Sequence, residues 1–406
     1  MFENVIGQND ALDDIKRDIA AGTLPASLLF HGPEYTGKLT VALEMARVLS
    51  CLKDSAPWNC DCTSCGNHRF LTHSEMLLLG NRYFKQDIAA CGDTLLRSGS
   101  EAGKYLYIRA IRKLVRRYDP VLWEGEESKL SGISEAAQET EELLEEFYPG
   151  RDLPAPEKMK KTMNKITGLT DKLADAVPDT IPVNNVRNAV AWSHITTPGK
   201  VKVIIIENAD RMSDASRNSL LKALEEPPAG VYYLLLTSRK GALIPTVLSR
   251  LRPYLFKVRS REDREQVFRR IFRLNENLGW ESLNDFFRDR RLSGESKESE
   301  VLLQNAADLF LKGVAEKDIP EMRYILGEVE NAVKSYPFKE GFKYFLEVLT
   351  NLLAVRLKEE LDDPHTVRRH HIWDRYIHEV LLWRETFNMN PALCLENLFL
   401  NMRRSR

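Results

Sequence analysis

The chain has 406 residues, more than a single hydrophobic core supports, so two or three domains are expected. With 43% hydrophobic and 29% charged residues it reads as globular, and its net charge of −1 excludes a generic polyanion binder, leaving nucleic-acid contact to a local patch. No apolar run approaches the ~20 residues that span a bilayer, and MFENVIGQND lacks the basic start and apolar stretch of a signal peptide, so a cytoplasmic protein with no membrane partner is expected.

Residues 27–31, SLLFH, predict a short buried strand. The segment Gly32-Pro33-Glu34-Tyr35-Thr36-Gly37-Lys38 follows, then an apolar stripe at helical spacing through Leu39, Ala42, Leu43, Ala46 and Leu49. Strand, glycine loop and helix are the setting of a phosphate-binding loop, with backbone N–H groups approaching phosphates and Lys38 reaching the β/γ-phosphates. The position after Lys38 should be Ser or Thr to hold Mg²⁺. Here it is Leu39, and Thr40 stands ~100° further round the helix. ATP and Mg²⁺ binding are therefore expected to be weak, through Gly32, Thr36, Gly37, Lys38, Leu39, Thr40 and, further on, Glu207.

Four of the six cysteines cluster as Cys51, Cys60, Cys62 and Cys65, with spacing C-x₈-C-x-C-x₂-C. Cytosolic thiols stay reduced, and four thiolates hold Zn²⁺ tetrahedrally with no open position, so the expectation is structural zinc rather than catalytic zinc. His68 and His73 stand nearby as substitute ligands, while Cys91 and Cys394 read as packed thiols.

The stretch at about 80–178 departs from this pattern, with an acidic run at 135–146 and a basic run at 158–165 separated by Gly150, Pro154 and Pro156. It is expected to be a helical insertion. Within it, residues 104–118 present Arg109, Arg112, Lys113 and Arg116 at helical spacing opposite Ile108, Ile111, Leu114, Val115 and Tyr118. Such a face is either a solvated charged surface or a contact for DNA phosphates or an acidic partner.

A second strand is predicted over 201–206, VKVIII, unbroken enough for a parallel strand covered on both faces. Ser213 then caps a helix with Leu220, Leu221 and Leu224 on one face, stopped by Pro227 and Pro228. Residues 231–237, VYYLLLT, form a third strand. Alternating strands and helices predict an α/β parallel sheet. From about residue 258 only helical patterns remain, as in Met322, Ile325, Leu326, Val329 and Val333.

FENVIGQ at the start, Leu24-Pro25-Ala26, LLKALEEPP at 220–228, IPTVLSR at 244–250 and NMNPALCLENLFL near the end together resemble the bacterial DNA polymerase III clamp-loader subunits of the delta-prime type, related to gamma/tau. The resemblance covers 1–78 and 181–258 and, loosely, the last helices, but not 80–178. It implies an α/β AAA+ P-loop core over 1–257 carrying the zinc module at 51–65, a helical lid at 258–298 and an all-α oligomerisation collar at 299–406. It further implies assembly with gamma/tau and delta subunits, the sliding clamp and, through the complex, primed DNA.

Where active members of this family carry Asp-Glu after the second strand, this chain has Glu207-Asn208, and an amide is no general base. The lid's second sensor, an Arg in active members, corresponds to Lys297. Hydrolysis is thus expected to be weak or absent. Arg250 keeps the family's Ser-Arg pair, though Leu251 replaces its Cys, and the resemblance makes Arg250 an arginine finger for a neighbouring subunit's ATP. The alternatives are a gamma/tau-like active motor in which Glu207 and Thr40 replace the usual groups, and a zinc-containing nucleic-acid-binding module on a dead ATPase.

Overall fold

A computed structural model describes residues 1–53, 55–196, 199–274, 280, 282–291, 295–315, 322–335, 341–359, 363–387 and 389–405. They divide into two units, Met1–Arg290 and Arg291–Arg406. Up to the boundary the elements run α1 (Asn9–Ala20), β1 (Ser27–His31), α2 (Lys38–Leu49), α3 (Thr63–Phe70), β2 (Met76–Leu79), α4 (Phe84–Ser98), α5 (Glu101–Val115), α6 (Ile133–Leu144), α7 (Pro156–Ala176), α8 (Val183–Ser193), β3 (Lys202–Ile206), α9 (Asp214–Glu225), β4 (Val231–Thr237), α10 (Pro245–Leu248), β5 (Arg252–Leu255), α11 (Arg261–Gln266) and α12 (Leu283–Arg291).

The five strands form one parallel sheet in the order β2-β3-β4-β1-β5. β1 lies between β4 and the edge strand β5, with Leu29 beside Leu235 of β4 and Pro253 of β5. Successive side chains leave opposite faces of a strand. Leu29, Leu77, Ile204, Ile206 and Leu235 accordingly meet α4, α5, α7, α8 and α9, whereas Leu28, Phe30, Leu78, Val203, Ile205 and Leu234 meet α1 and α2. Helices on both faces explain why the strands read as continuous apolar runs. This is the α/β core with a parallel sheet that the sequence predicts.

Two strands escaped that reading. β2 is a run of four, MLLL, too short for periodicity to separate from a helix end. β5, RPYL, exposes all but Tyr254 and carries Pro253, which an edge strand tolerates because the missing N–H would face no partner.

Between β2 and β3 the chain is helical, as expected, but not peripheral. Ile108, Ile111 and Leu114 of α5 are fully buried in the core on one sheet face, where truncating one to Ala costs about 2–5 kcal/mol. The second unit is helical throughout its described residues: α13 (Glu295–Ala315), α14 (Met322–Ser335), α15 (Gly341–Glu359), α16 (Pro364–Phe387) and α17 (Pro391–Arg404). Its core gathers Phe310, Phe345, Trp373 and Phe399 with the predicted stripe residues Ile325 and Val329. The side chain of Lys297 lies outside the described residues.

Candidate nucleotide cleft and metal centre

The loop between β1 and α2 has the backbone of a phosphate cradle. Gly32 has φ 141°, and a Cβ there would stand 1.9 Å from the Phe256 carbonyl oxygen; Gly37 has φ 96° and caps α2. Only glycine fits both positions without strain. Lys38 folds over the loop, its Nζ donating to the carbonyls of Gly32 at 2.6 Å and Pro33 at 2.5 Å, while Thr36 donates to Pro33. Burial pulls the Lys38 amine down to about 8 despite the pull of Glu34, Glu207 and Asp210. Leu39 is a core residue on the α2 side of the sheet, only 7% exposed, which explains an apolar side chain where a metal-holding hydroxyl was sought. Thr40 is exposed and borders the same cleft.

That cleft has a volume of about 630 Å³ and is walled by the loop, the N-terminal segment Glu3 to Ile6, the start of α4, one edge of α5 and the helical segment before and including α12. Tyr35, at φ 56°, stacks on Phe287 of α12 at 4.9 Å and on Tyr83 at 6.0 Å. Arg259, which the sequence reading missed, lays its guanidinium across the loop. Its Nη1 donates to the Tyr35 carbonyl, its Nε donates to the Ile6 carbonyl at 3.3 Å, and its Nη2 lies 2.5 Å from where a Gly37 Cβ would stand.

Glu207 ends β3 at the cleft floor but is not free to hold a metal. Its carboxylate is ion-paired with Arg117 and, at 3.5 Å, with Arg82. Arg117 is 4% exposed, and burial lowers its pKa to about 10. Arg82 also pairs with Asp87 at 3.4 Å, and Lys113 pairs with Asp87 at 2.8 Å. Burial opposes the Asp87 charge, yet Lys113 and Arg82 hold its carboxyl below the usual range. Asn208 takes the left-handed conformation, φ 48°, and donates to the Asn81 carbonyl at 2.7 Å. Asn tolerates that backbone better than most residues, so its presence has a conformational reason. Arg82, Asp87, Lys113, Arg117 and Glu207 come from segments far apart in the chain, so no local motif contains this network.

The four cysteines do converge. The Sγ atoms of Cys51, Cys60, Cys62 and Cys65 all lie within 4.8 Å of one another, with Cys62 capping α3 through the Cys65 N–H. Arg47, 1% exposed, spends all five donors: two on Glu44, one each on the Ala56 and Pro57 carbonyls, and one at 3.0 Å on Cys65 Sγ. A buried guanidinium donating to a sulfur is what a thiolate needs from its surroundings, so the residues fit structural zinc, as ligands with an outer-shell cation. Burial works against the Cys62 thiolate, but the Cys65 and Leu52 amides and neighbouring thiols bring its pKa to about 6. His68 and His73 stack on each other at 4.0 Å outside the quartet. Burial drives His68 down to about 2, and His73 bonds Ser64 and the Glu75 amide, so neither substitutes for a cysteine.

The basic face of 104–118 is largely engaged within the fold. Arg109 donates to the carbonyls of His68 and Arg69, and Arg116 to those of His73 and Met76. Arg112, 7% exposed at its side chain, forks onto Glu141 and reaches the Phe70 carbonyl. These contacts fasten the α5 segment to α3, α6 and β2, so the face is tied into the fold rather than simply solvated. Arg250 lies beyond α10, 27% exposed at its side chain, bonding Glu225 at 3.1 Å and the Thr246 carbonyl at 2.6 Å.

The chain is similar to DNA polymerase III subunit delta' of Haemophilus influenzae, 34% identical over 84 residues, covering 20% of this chain and 25% of that protein. It is also similar to the delta' subunit of Escherichia coli, 43% identical over 54 residues, covering 13% and 16%. The matched stretches thus span a quarter or less of the length of these curated relatives. A solved DNA polymerase III gamma subunit-related protein from Thermotoga maritima aligns at 20% identity over 56% of this chain and 81% of that one, with a TM-score of 0.32, too low to carry an argument. The sequence pattern of the family described as DNA polymerase III, delta subunit matches residues 7–120 and 154–260. It runs through α4, α5 and α7, so most of the stretch expected to be an insertion follows the family pattern, and the break falls at 121–153. With more than half of its length so matched, the chain belongs to the DNA polymerase III delta subunit family.

Proposed function

We propose that the protein is a clamp-loader subunit of DNA polymerase III that supports ATP-dependent loading of the sliding clamp onto primed DNA in the cytoplasm while hydrolysing little ATP itself. Its partners would be gamma/tau and delta subunits, the clamp and, through the assembly, DNA. The observation carrying this reading is the floor of the cleft: Glu207 is held by Arg82 and Arg117, and the hydroxyl expected to hold Mg²⁺ is a core leucine. Neither a metal-organising carboxylate nor a base for water remains there.

The chemistry left to the chain is in trans. Arg250 keeps part of its side chain in solvent, tethered by the partly exposed Glu225, a pairing weak enough to exchange for a neighbouring subunit's phosphates. A fork of donors suits the charge that develops on a transferring phosphoryl group. No described helix is long and apolar enough to cross a membrane. In the test, a complex is rebuilt with the Arg250→Ala chain and assayed with clamp and primed DNA. Assembly should survive while partner ATPase falls by a share of the ~10³–10⁵ range of such fingers, with Arg250→Lys only partly active. Wild-type turnover by a correctly assembled variant complex would remove the finger role.

A further inference from the structure

The cleft retains the shape of a phosphate cradle but does not fit a divalent cation. All four carboxylates among its described lining residues are engaged: Glu3 by the N-terminal ammonium, Glu34 by the Tyr83 hydroxyl, Asp87 by Lys113 and Arg82, and Glu207 by Arg82 and Arg117. Leu39 offers no oxygen. Against those four acids the lining carries seven cationic side chains, so the cavity is positive overall without any metal. One of the seven, Arg259, is held by two backbone carbonyls with its guanidinium lying over Gly37, at the mouth of the loop's N–H cradle.

We propose that this cleft binds a nucleoside di- or triphosphate without a divalent cation, with Arg259 beside Lys38 supplying the charge that Mg²⁺ supplies elsewhere. This rests on reading the loop as a nucleotide site, and it goes further by assigning the counter-ion. A guanidinium offers a phosphate two parallel donors and stays charged throughout the working pH range. Arg259 is pre-placed, so it spends little ordering entropy on binding. The aromatic stack of Tyr83, Tyr35 and Phe287 borders the same space and holds the loop to α12. Such an occupant is retained rather than turned over, because Glu207 is held by Arg82 and Arg117 and the lining does not fit a bridging metal.

Calorimetric titration of the full chain with ADP and with ATP, once in EDTA and once in excess Mg²⁺, tests this directly. The two buffers should give dissociation constants within about threefold of each other, and Arg259→Ala should weaken both by at least about tenfold, with Arg259→Lys recovering part of the loss. A thermal melt of each variant shows that it is folded. Binding tightened tenfold or more by Mg²⁺, binding indifferent to Arg259→Ala, or no binding by the folded chain in either buffer would each overturn the inference. Copurification with clamp-loader subunits is scored separately. A chain that assembles but ignores nucleotide overturns only this inference, and one that binds nucleotide in EDTA but does not assemble overturns only the subunit reading.

Discussion

Replacing Arg117 with Ala should loosen the centre of the first unit by a measurable amount. The guanidinium is nearly fully buried, stacks over the Phe84 ring at 5.5 Å and pairs with Glu207, whose side chain is 11% exposed. Removing one partner of a buried pair costs about 3–5 kcal/mol, mostly because a charge is left uncompensated. Here Arg82 stays within 3.5 Å of Glu207 and takes over part of that role, so about 2–4 kcal/mol is expected. Hydrogen exchange followed by mass spectrometry on the β2 and β3 peptides reads this locally, through amides such as that of Glu207, which donates to the Leu79 carbonyl. At about 1.4 kcal/mol per tenfold, exchange there should speed up by roughly 30- to 700-fold. The double variant Arg117→Met with Glu207→Gln removes both charges and keeps the volume, so it should return to within about 1 kcal/mol of the original. Exchange in Arg117→Ala within threefold of the original, or a double variant no slower than the single, would refute the reasoning.

Elemental analysis after dialysis should find one zinc per chain, and Cys62→Ser or Cys65→Ser should lower both zinc content and melting temperature; a metal-free chain with unchanged stability would refute the centre. Arg112→Ala should cost about 1–3 kcal/mol in urea unfolding, since its partner Glu141 is partly exposed, while leaving the salt dependence of any DNA binding unaltered; a flattened slope would restore the nucleic-acid reading. Lys38 binds phosphate as the ammonium, and burial sets its pKa at about 8, with Glu34, Glu207 and Asp210 raising it and Arg259 lowering it. Nucleotide affinity should therefore be nearly full at and below about pH 7 and fall about tenfold between pH 7 and 9, as the protonated fraction falls. His31 nearby stays neutral in that window because burial lowers its pKa, and Lys38→Met should abolish the dependence.

What could be read from the sequence was whatever is written in consecutive residues. The runs of β1, β3 and β4, the glycines of the loop, the Ser213 cap of α9 and the cysteine quartet all follow from local spacing, and all hold in the structure. What could not be read was direction. A stripe of arginines at helical spacing looks the same whether it faces water or the carbonyl ends of α3 and β2, and only the fold decides. Glu207 and Arg117 are 90 residues apart in sequence, so no motif links them. Arg259 stands four residues beyond the end of a short edge strand that the sequence itself conceals, and its role depends on that strand placing it over Gly37.

The strand order also fixes a timetable for synthesis. β1 and β2 are the first strands to leave the ribosome, yet they are not neighbours: every ladder of the described sheet requires β3, β4 or β5. β1 ends at His31 and β3 begins at Lys202, so at ~5–20 residues per second the nascent chain spends roughly 10–35 s with exposed strand edges and no partner for them. During that interval α4 with α5, and α6 with α7, can already pair as local hairpins and offer an apolar platform on which β2 waits. On this order of events the long helical stretch would shield β2 until β3 is made. Shortening it should show itself first as aggregation of newly made chains, before any loss of stability in those that finish folding.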